Sequence, residues 1–513
     1  MTTDQGNSAL SPAPELTAEE TLAAGRLGIA GIVFFVVAAA APLVGMTGAV
    51  PVAIVLGNGA AAPGAYLAVG LVLLVFSVGY SAMSHRVSNT GAFFAYVGRG
   101  LGIAPGVGSA FVSLLAYLAI QLAIFGFFGA IASAQFEAEL GISLSWWGWA
   151  LLAWAIVSAL SLLQVDIGAK LLGVLMGLEV LSLLLVAVVV LFQGGGPDGL
   201  DFAASFAPSN IFAGGFAGSA GIALAFAFAS YIGFEATAIY AEETKDPKRS
   251  VPIATYAAVT LIAVLFAITS WAVVSAVGSD HVVERVAEIS AIEGTPLADP
   301  AAVLFSVAEE YVGHWLAVLM SWLVISSLFA GLLAFQNSAS RYFYSLGRAG
   351  VLPRALDHVN GRGAPAMGSV ATSVVTLAVI LLFVVTDKDP VLNLFYWFSA
   401  LAVLAIVLVE VLVSIAVIVY FRREGDRRYW NTVIAPAIAA VGLTLGAYLV
   451  AARFGLLAGT VADGVDPTAQ TFGLSALGWT LVLAPFAVFA VGTLVGKVRR
   501  KEENEDAVAD LVT

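Results

Sequence analysis

The feature that most constrains this chain is a repeated length. Runs of about 20 mostly apolar residues, enough for an α-helix to cross the roughly 30 Å hydrocarbon core of a bilayer, recur twelve times in its 513 residues. They fall near 28–56, 63–84, 104–133, 146–163, 168–192 and 216–241, then near 252–277, 315–341, 368–386, 391–420, 432–453 and 475–496. A backbone in lipid has no water to satisfy its N–H and C=O groups, so each run is read as a helix that pairs them internally. Glycine and proline are scattered through these runs, as in helices that pack closely or break, and the two-residue alternation of a membrane barrel is missing. The expected fold class is an all-α integral membrane protein with 12 transmembrane helices.

Composition agrees and narrows the chemistry. The hydrophobic set makes up 60% of the chain and the charged set 11%, against about 45–50% and about 25% in soluble domains. A mean hydropathy of +0.97 over the whole length excludes a soluble domain on one anchor. With no cysteine, disulfides, thiolate metal sites and thiol nucleophiles are excluded. The four histidines, His85, His281, His314 and His358, lie in loops or at span ends without metal-ligand spacing, and neither HExxH nor a phosphate loop occurs. No catalytic residues, metal or cofactor are expected, and a formal charge of −12 argues against nucleic acid as a partner.

Charge placement sets the orientation. With both termini in the cytoplasm, 19 of the 22 lysines and arginines fall on that side, and only Arg285, Lys388 and Arg453 fall outside, the asymmetry of the positive-inside rule. The chain is thus expected to be a multi-pass protein of the cell membrane with cytoplasmic N- and C-termini. Residues 1–25 read as a disordered polar tail and 497–513 as a second tail. The acidic segment 278–314 reads as a solvated, partly helical outer lid.

Three acids, Glu179, Glu235 and Glu410, fall inside predicted spans with no basic residue left to pair with them. A charge near the bilayer centre costs a few kcal/mol even on the mildest scales, so such residues face a cavity, carry a proton or bind a cation. Glu235 follows Gly233 in an otherwise apolar helix, where the glycine can free backbone groups for a ligand. Glu179 lies about 17 Å into its span at 1.5 Å per residue. Nothing near Glu410 breaks its helix, and a structural hydrogen bond is the expected use of that side chain. The first span carries its own interruption, APLVGMTGAVP at 41–51. Interrupted helices opening both halves of a chain point to a mid-membrane site between inverted repeats.

At these residues the sequence resembles a known family, the amino acid, polyamine and organocation permeases, with the five-plus-five inverted repeat of the leucine transporter. The resemblance runs over about 26–425 and rests on SYIGFEATAIYAEETKDPKRSVP at 230–252, SNTGAFFAYVGRGLG at 88–102 and NSASRYFYSLGRAGVLPRALDHVN at 337–360. It implies a first repeat at 26–192, an inverted second repeat at 216–421 with helices 1 and 6 broken, and accessory helices 11 and 12 at 432–496. It also implies that substrate amino and carboxyl groups meet unwound backbone around Val44, Gly45, Met46, Thr47 and Gly48, and around Tyr231, Ile232 and Gly233. Phe335 falls at a pocket or gating aromatic, Glu235 at the family's span 6 acid, and Glu179 where many proton-coupled relatives carry a lysine.

The function expected from these features is a secondary active transporter that imports an amino acid by proton symport, with Glu179 and Glu235 coupling protons to gating. A polyamine or other organic amine carrier or exchanger is the alternative, and a channel or receptor ranks behind it. The partners are a small-molecule substrate, protons and the lipid bilayer. Sodium, resting on the hydroxyls of Ser326 and Ser327, ranks behind protons. Oligomeric state is not legible. The cytoplasmic stretch Glu242, Glu243, Lys245, Asp246, Lys248 and Arg249 is read first as solvated loop charges, with inner-gate ion pairs to Arg86 in an outward-facing carrier as the alternative.

Overall fold

The computed structural model describes residues 28–87, 91, 93–163 and 166–502, with the side chains of all but 166–172 and 499–502. The expected tail at 1–25, most of that at 497–513 and part of the 88–102 motif lie outside the described residues, as do the Arg26 and Lys170 side chains. Nineteen α-helices follow one another among the described residues: α1 (Ile29–Ala40), α2 (Pro42–Val52), α3 (Ala62–Ser84), α4 (Phe93–Leu101), α5 (Ile103–Leu140), α6 (Trp146–Leu162), α7 (Asp166–Phe192), α8 (Phe202–Phe206), α9 (Pro208–Ile211), α10 (Ser219–Ser230), α11 (Pro247–Val277), α12 (Val282–Ile289), α13 (Ala301–Tyr311), α14 (His314–Arg348), α15 (Ala366–Val385), α16 (Tyr396–Arg423), α17 (Ala435–Ala452), α18 (Phe454–Ala458) and α19 (Ala476–Glu502). A 3-10 segment, Phe234–Glu243, links α10 to α11, and no named strand occurs among the described residues.

Ten segments among the described residues are long and apolar enough to cross a membrane, which makes this a multi-pass membrane protein. The first, Ile29–Ser84, runs 56 residues but is interrupted at Ala41 and again at Gly57 and Gly59, where the backbone leaves helical geometry. Trp146–Leu162 is apolar but only 17 residues long. The acidic segment 278–314 is part helical, as expected, through α12 and α13.

Burial separates centre from rim. In Ser219–Glu243, 94% of the most apolar stretch is buried, against 22% in Ala476–Val498, so the element containing Gly233 is the axis of the bundle and α19 its edge. Large apolar side chains such as Val374, Val385, Val441 and Leu483 point outward, an arrangement suited to lipid rather than water. Within the bundle α5 packs against α4, α6, α14, α16 and α19. A buried polar network ties part of this group together. Gln121 Nε2 on α5 donates to Gln336 Oε1 on α14 at 2.5 Å, and Gln336 Nε2 donates to Ser373 Oγ on α15 at 3.0 Å. From α6, Ser158 Oγ and Trp154 Nε1 donate to the Ser373 hydroxyl and carbonyl. Such bonds in membrane interiors contribute about 0.6 kcal/mol each on average, so their number and placement make four helices one unit.

Candidate functional site

The first break is a consequence of Pro42. Proline has no N–H and its ring disfavours helical backbone at the preceding residue, and Ala41 adopts a left-handed conformation with φ 41° and ψ 66°. A continuous helix would have residue 42 donate to the Ala38 carbonyl and residue 43 to that of Ala39. Pro42 supplies no hydrogen, and the Leu43 N–H donates instead to Glu179 Oε1 of α7 at 2.8 Å. Two carbonyls of α1 thereby lose their helical donors. The hydroxyl of Ser327 of α14 is buried; its neighbour Ser326 donates to its own helix at Leu323 O, 2.9 Å.

This corrects one expectation. Val44, Gly45, Met46, Thr47 and Gly48 are not unwound but lie within α2, because the break falls at the residue before the proline rather than at the glycines that follow. The Thr47 hydroxyl donates to Leu43 O and Val44 O of its own helix at 2.9 and 3.2 Å. A Cβ on Gly45 would lie 2.7 Å from Phe266 Cζ, so this glycine serves a close approach of α2 to α11.

The second break follows the expectation in place. α10 ends at Ser230, and Tyr231, Ile232 and Gly233 form a turn before the 3-10 segment. Gly233 has φ 109°, and a Cβ there would lie 2.8 Å from Ala39 Cβ and 3.0 Å from the Ala39 carbonyl carbon. Only glycine meets both demands, and the contact brings the two breaks together. The Gly233 N–H donates to Glu235 Oε2 at 2.8 Å, and the Tyr117 hydroxyl of α5 donates to Glu235 Oε1 at 3.1 Å. The Tyr80 hydroxyl of α3 donates to the Glu235 carbonyl at 2.8 Å and accepts from the Ala238 N–H at 3.2 Å.

Phe335 is fully buried and lies against Tyr117, ring centroids 6.1 Å apart, so the structure brings Phe335, Tyr117, Glu235, Gly233 and the end of α1 into one neighbourhood. Tyr231 turns elsewhere: its hydroxyl donates to Tyr66 O at 2.9 Å and its ring packs on Phe266, leaving only its backbone at the break. Ile232 is buried beside it. Glu410 of α16 is buried. Its Oε1 is buried without a hydrogen-bond partner among the described residues. Tyr117 was not singled out in the sequence, although a phenol in the apolar run 104–133 is a signal of the same kind as an intramembrane acid.

For Glu242 and Glu243 the reading as solvated loop charges is corrected as well. Glu242 and Glu243 pair not with Arg86 but with α14. Arg341 Nε and Nη2 donate to the two carboxylate oxygens of Glu243 at 2.6 and 2.9 Å, and Arg348 Nη2 and Nη1 donate to those of Glu242 at 2.7 and 3.2 Å. These are bidentate, charge-assisted pairs, and the Arg341–Glu243 pair is almost wholly buried. The Arg341 guanidinium also lies over Tyr240, 4.7 Å from the ring centre, and Tyr240 stacks on Phe35 of α1 at 5.1 Å. One column thus joins α1, the 3-10 segment and α14. Arg86, at the end of α3, is exposed.

Two helices broken against one another, with acids at each break, inside a multi-pass bundle define a membrane permease. The sequence model of the amino acid permease family matches residues 31–498, and the chain belongs to that family, as the motif at 230–252 implied. It is 28% identical to a branched-chain amino acid permease of Lactococcus lactis over 167 residues, 32% of this chain and 33% of that one. It is 26% identical to an uncharacterized transporter of Legionella pneumophila over 218 residues, 41% of this chain and 44% of the other. The chain thus spans between a third and a half of the length of these curated relatives.

Proposed function

We propose that this protein is a secondary active transporter of the cell membrane that imports an amino acid by proton symport with alternating access. The observation that carries the reading is the pair of breaks in contact at Gly233 and Ala39, each with one N–H taken by a glutamate carboxyl. A zwitterion needs donors for its carboxylate and acceptors for its ammonium. Interrupted helices offer both as backbone groups, here beside Val44, Gly45, Met46, Thr47 and Gly48 on one side and Tyr231, Ile232 and Gly233 on the other. Phe335 serves as the pocket aromatic. The bonds that hold Glu179 and Glu235 are the ones protonation weakens, and this links a proton to the shape of each break.

In this reading Ile29–Ser84 contains two spans and Trp146–Leu162 is a further one, making twelve with both termini cytoplasmic. Residues 26–192 and 216–421 are inverted repeats, and 432–496 hold the accessory helices. The helices tied by Gln121, Gln336 and Ser373 act as scaffold, and α1, α2, α10 and the 3-10 segment rock against them. The Glu243–Arg341 and Glu242–Arg348 pairs close the cytoplasmic side and part when it opens. The name of the Lactococcus lactis relative makes branched-chain amino acids the first substrates to try.

The test is uptake of labelled leucine, isoleucine and valine into proteoliposomes with and without an inward proton gradient. Gradient-driven accumulation that is lost in a Glu179→Gln/Glu235→Gln double variant is the expected outcome. Uptake indifferent to the gradient, or full accumulation by the double variant, refutes proton coupling through these residues.

A further inference from the structure

A cavity of about 410 Å³ opens where the end of α3 meets the start of α11, away from the two breaks and unused by the proposed transport cycle. It is lined by His85, just past α3, and by Asp246, Lys248, Arg249, Pro252 and Ile253 at the start of α11, and its size falls in the range of small-molecule sites, about 300–1,000 Å³. The two helices run antiparallel: a Cβ on Gly70 would lie 2.6 Å from Ala263 Cβ, and an equal number of residues separates Gly70 from His85 and Ala263 from Lys248. Arg86, Lys245, Lys248 and Arg249 are all exposed here, four cations around the single carboxylate of Asp246. Glu242 and Glu243, next along the chain, are engaged by α14. A third element reaches the same end. Cβ atoms on Gly79 and Gly442 would touch Pro436 and Val72 at 2.7 and 2.9 Å, so α17 is also antiparallel to α3, and the exposed Tyr429 and Trp430 ahead of it lie toward His85.

We propose that this cavity is a binding site for the headgroup of an anionic phospholipid of the cytoplasmic leaflet, with Lys248 and Arg249 on the phosphate. An arginine fork matches phosphate oxygens, and a lysine adds a point charge. Excess cationic charge favours an anionic over a zwitterionic headgroup, by an amount that grows with each Lys or Arg near the surface. The walls decide for a lipid over a soluble anion. Pro252 and Ile253 give the cavity an apolar side, and from Ile253 the exposed Tyr256, Leu261 and Val264 continue along the outward face of α11, a track for acyl chains once the phosphate is seated. Tyr429 and Trp430 mark the depth at which headgroups lie, since such side chains collect at the membrane–water interface. Assignment to the cytoplasmic leaflet rests on the orientation proposed above; the binding itself does not.

The experiment titrates the full-length protein in detergent with phosphatidylglycerol or phosphatidylcholine, counting retained lipids by native mass spectrometry and following the melting temperature. Phosphatidylglycerol is expected to be retained and to raise the melting temperature where phosphatidylcholine does neither. In Lys248→Gln/Arg249→Gln its affinity is expected to fall by about tenfold or more, while Arg422→Gln/Arg427→Gln, exposed cations outside the cavity lining, changes it less than about twofold. Both variants replace exposed side chains, so their lipid-free melting temperatures are expected to match that of the unaltered protein. Equal binding of the two lipids, or equal losses in the two variants, overturns the site. Stabilisation by inorganic phosphate alone, equal to that by phosphatidylglycerol and lost in Lys248→Gln/Arg249→Gln, makes it a soluble-anion site and overturns the lipid assignment. The leaflet is read separately. The chain has no cysteine, so Asp246→Cys is the one thiol for a membrane-impermeant maleimide, expected to react in inverted vesicles and not in intact cells. Labelling of intact cells overturns the leaflet and the proposed orientation, and leaves the lipid titration to judge the cavity.

Discussion

The two breaks expose the same kind of backbone group and satisfy it in opposite ways. At the first, a proline interrupts the helix and the stranded Leu43 N–H is taken by Glu179, a residue 136 positions away on another helix. At the second, a glycine makes the turn and its own N–H is taken by Glu235, two positions on in the same segment. The first break is thus a tertiary object, dependent on how α7 lies against α2, and the second is a local one. The rest of the molecule adds side-chain bonds to the second break, from Tyr117 and Tyr80, and a downstream anchor, the Glu243–Arg341 pair to α14. The lesson is that the backbone N–H freed at the first break depends on a distant helix, whereas the one at the second is satisfied within its own turn.

Substitutions sharpen this contrast, and the largest effect is expected at the anchor. Arg341→Met leaves the buried Glu243 without its partner, and a loss of about 3–5 kcal/mol is expected in the unfolding of detergent-solubilised protein. Adding Glu243→Leu should restore much of it. If the single variant costs no more than a surface substitution, the second break does not depend on this anchor.

Gly233→Ala is expected next, at about 3 kcal/mol, since it combines a left-handed backbone with a side chain pressed into Ala39. A well-folded Gly233→Ala protein with unchanged melting temperature contradicts the close contact of the two breaks. Glu179→Leu strands the Leu43 N–H in a buried position, at a cost of about 1–3 kcal/mol. Glu179→Gln, which keeps an acceptor oxygen, should cost less; equal losses in the two variants mean that the carboxylate charge, not the hydrogen bond, holds the first break.

The smallest effect on stability, under about 1 kcal/mol, is expected for Pro42→Ala, which removes the local cause of the break while leaving Glu179 in place. Amide hydrogen exchange around residues 39–43 is its readout. Slower exchange means the helix rejoins once the proline is gone. Unchanged exchange means that Glu179 and the contact with Gly233 impose the break by themselves.

What the sequence alone determined follows from properties that are local along the chain. The length of each apolar run, the places where Gly233 and Pro42 interrupt a helix, and the presence of Glu179, Glu235 and Glu410 in spans without basic partners can all be read residue by residue, because they depend on backbone chemistry and transfer into lipid. Even the offset of the first break, at Ala41 rather than at the glycines 45 and 48, follows from the rule for the residue before proline. Only the tertiary structure decided who pairs with whom: Leu43 with Glu179, Glu235 with Tyr117, Glu243 with Arg341 rather than Arg86, and Glu410 with no donor at Oε1. In an apolar run the side of a helix that turns inward carries little imprint in hydropathy. Rotation, tilt and depth are instead settled by packing against neighbours distant in the chain, and a shift of a fraction of a helical turn is enough to give a buried donor a different acceptor.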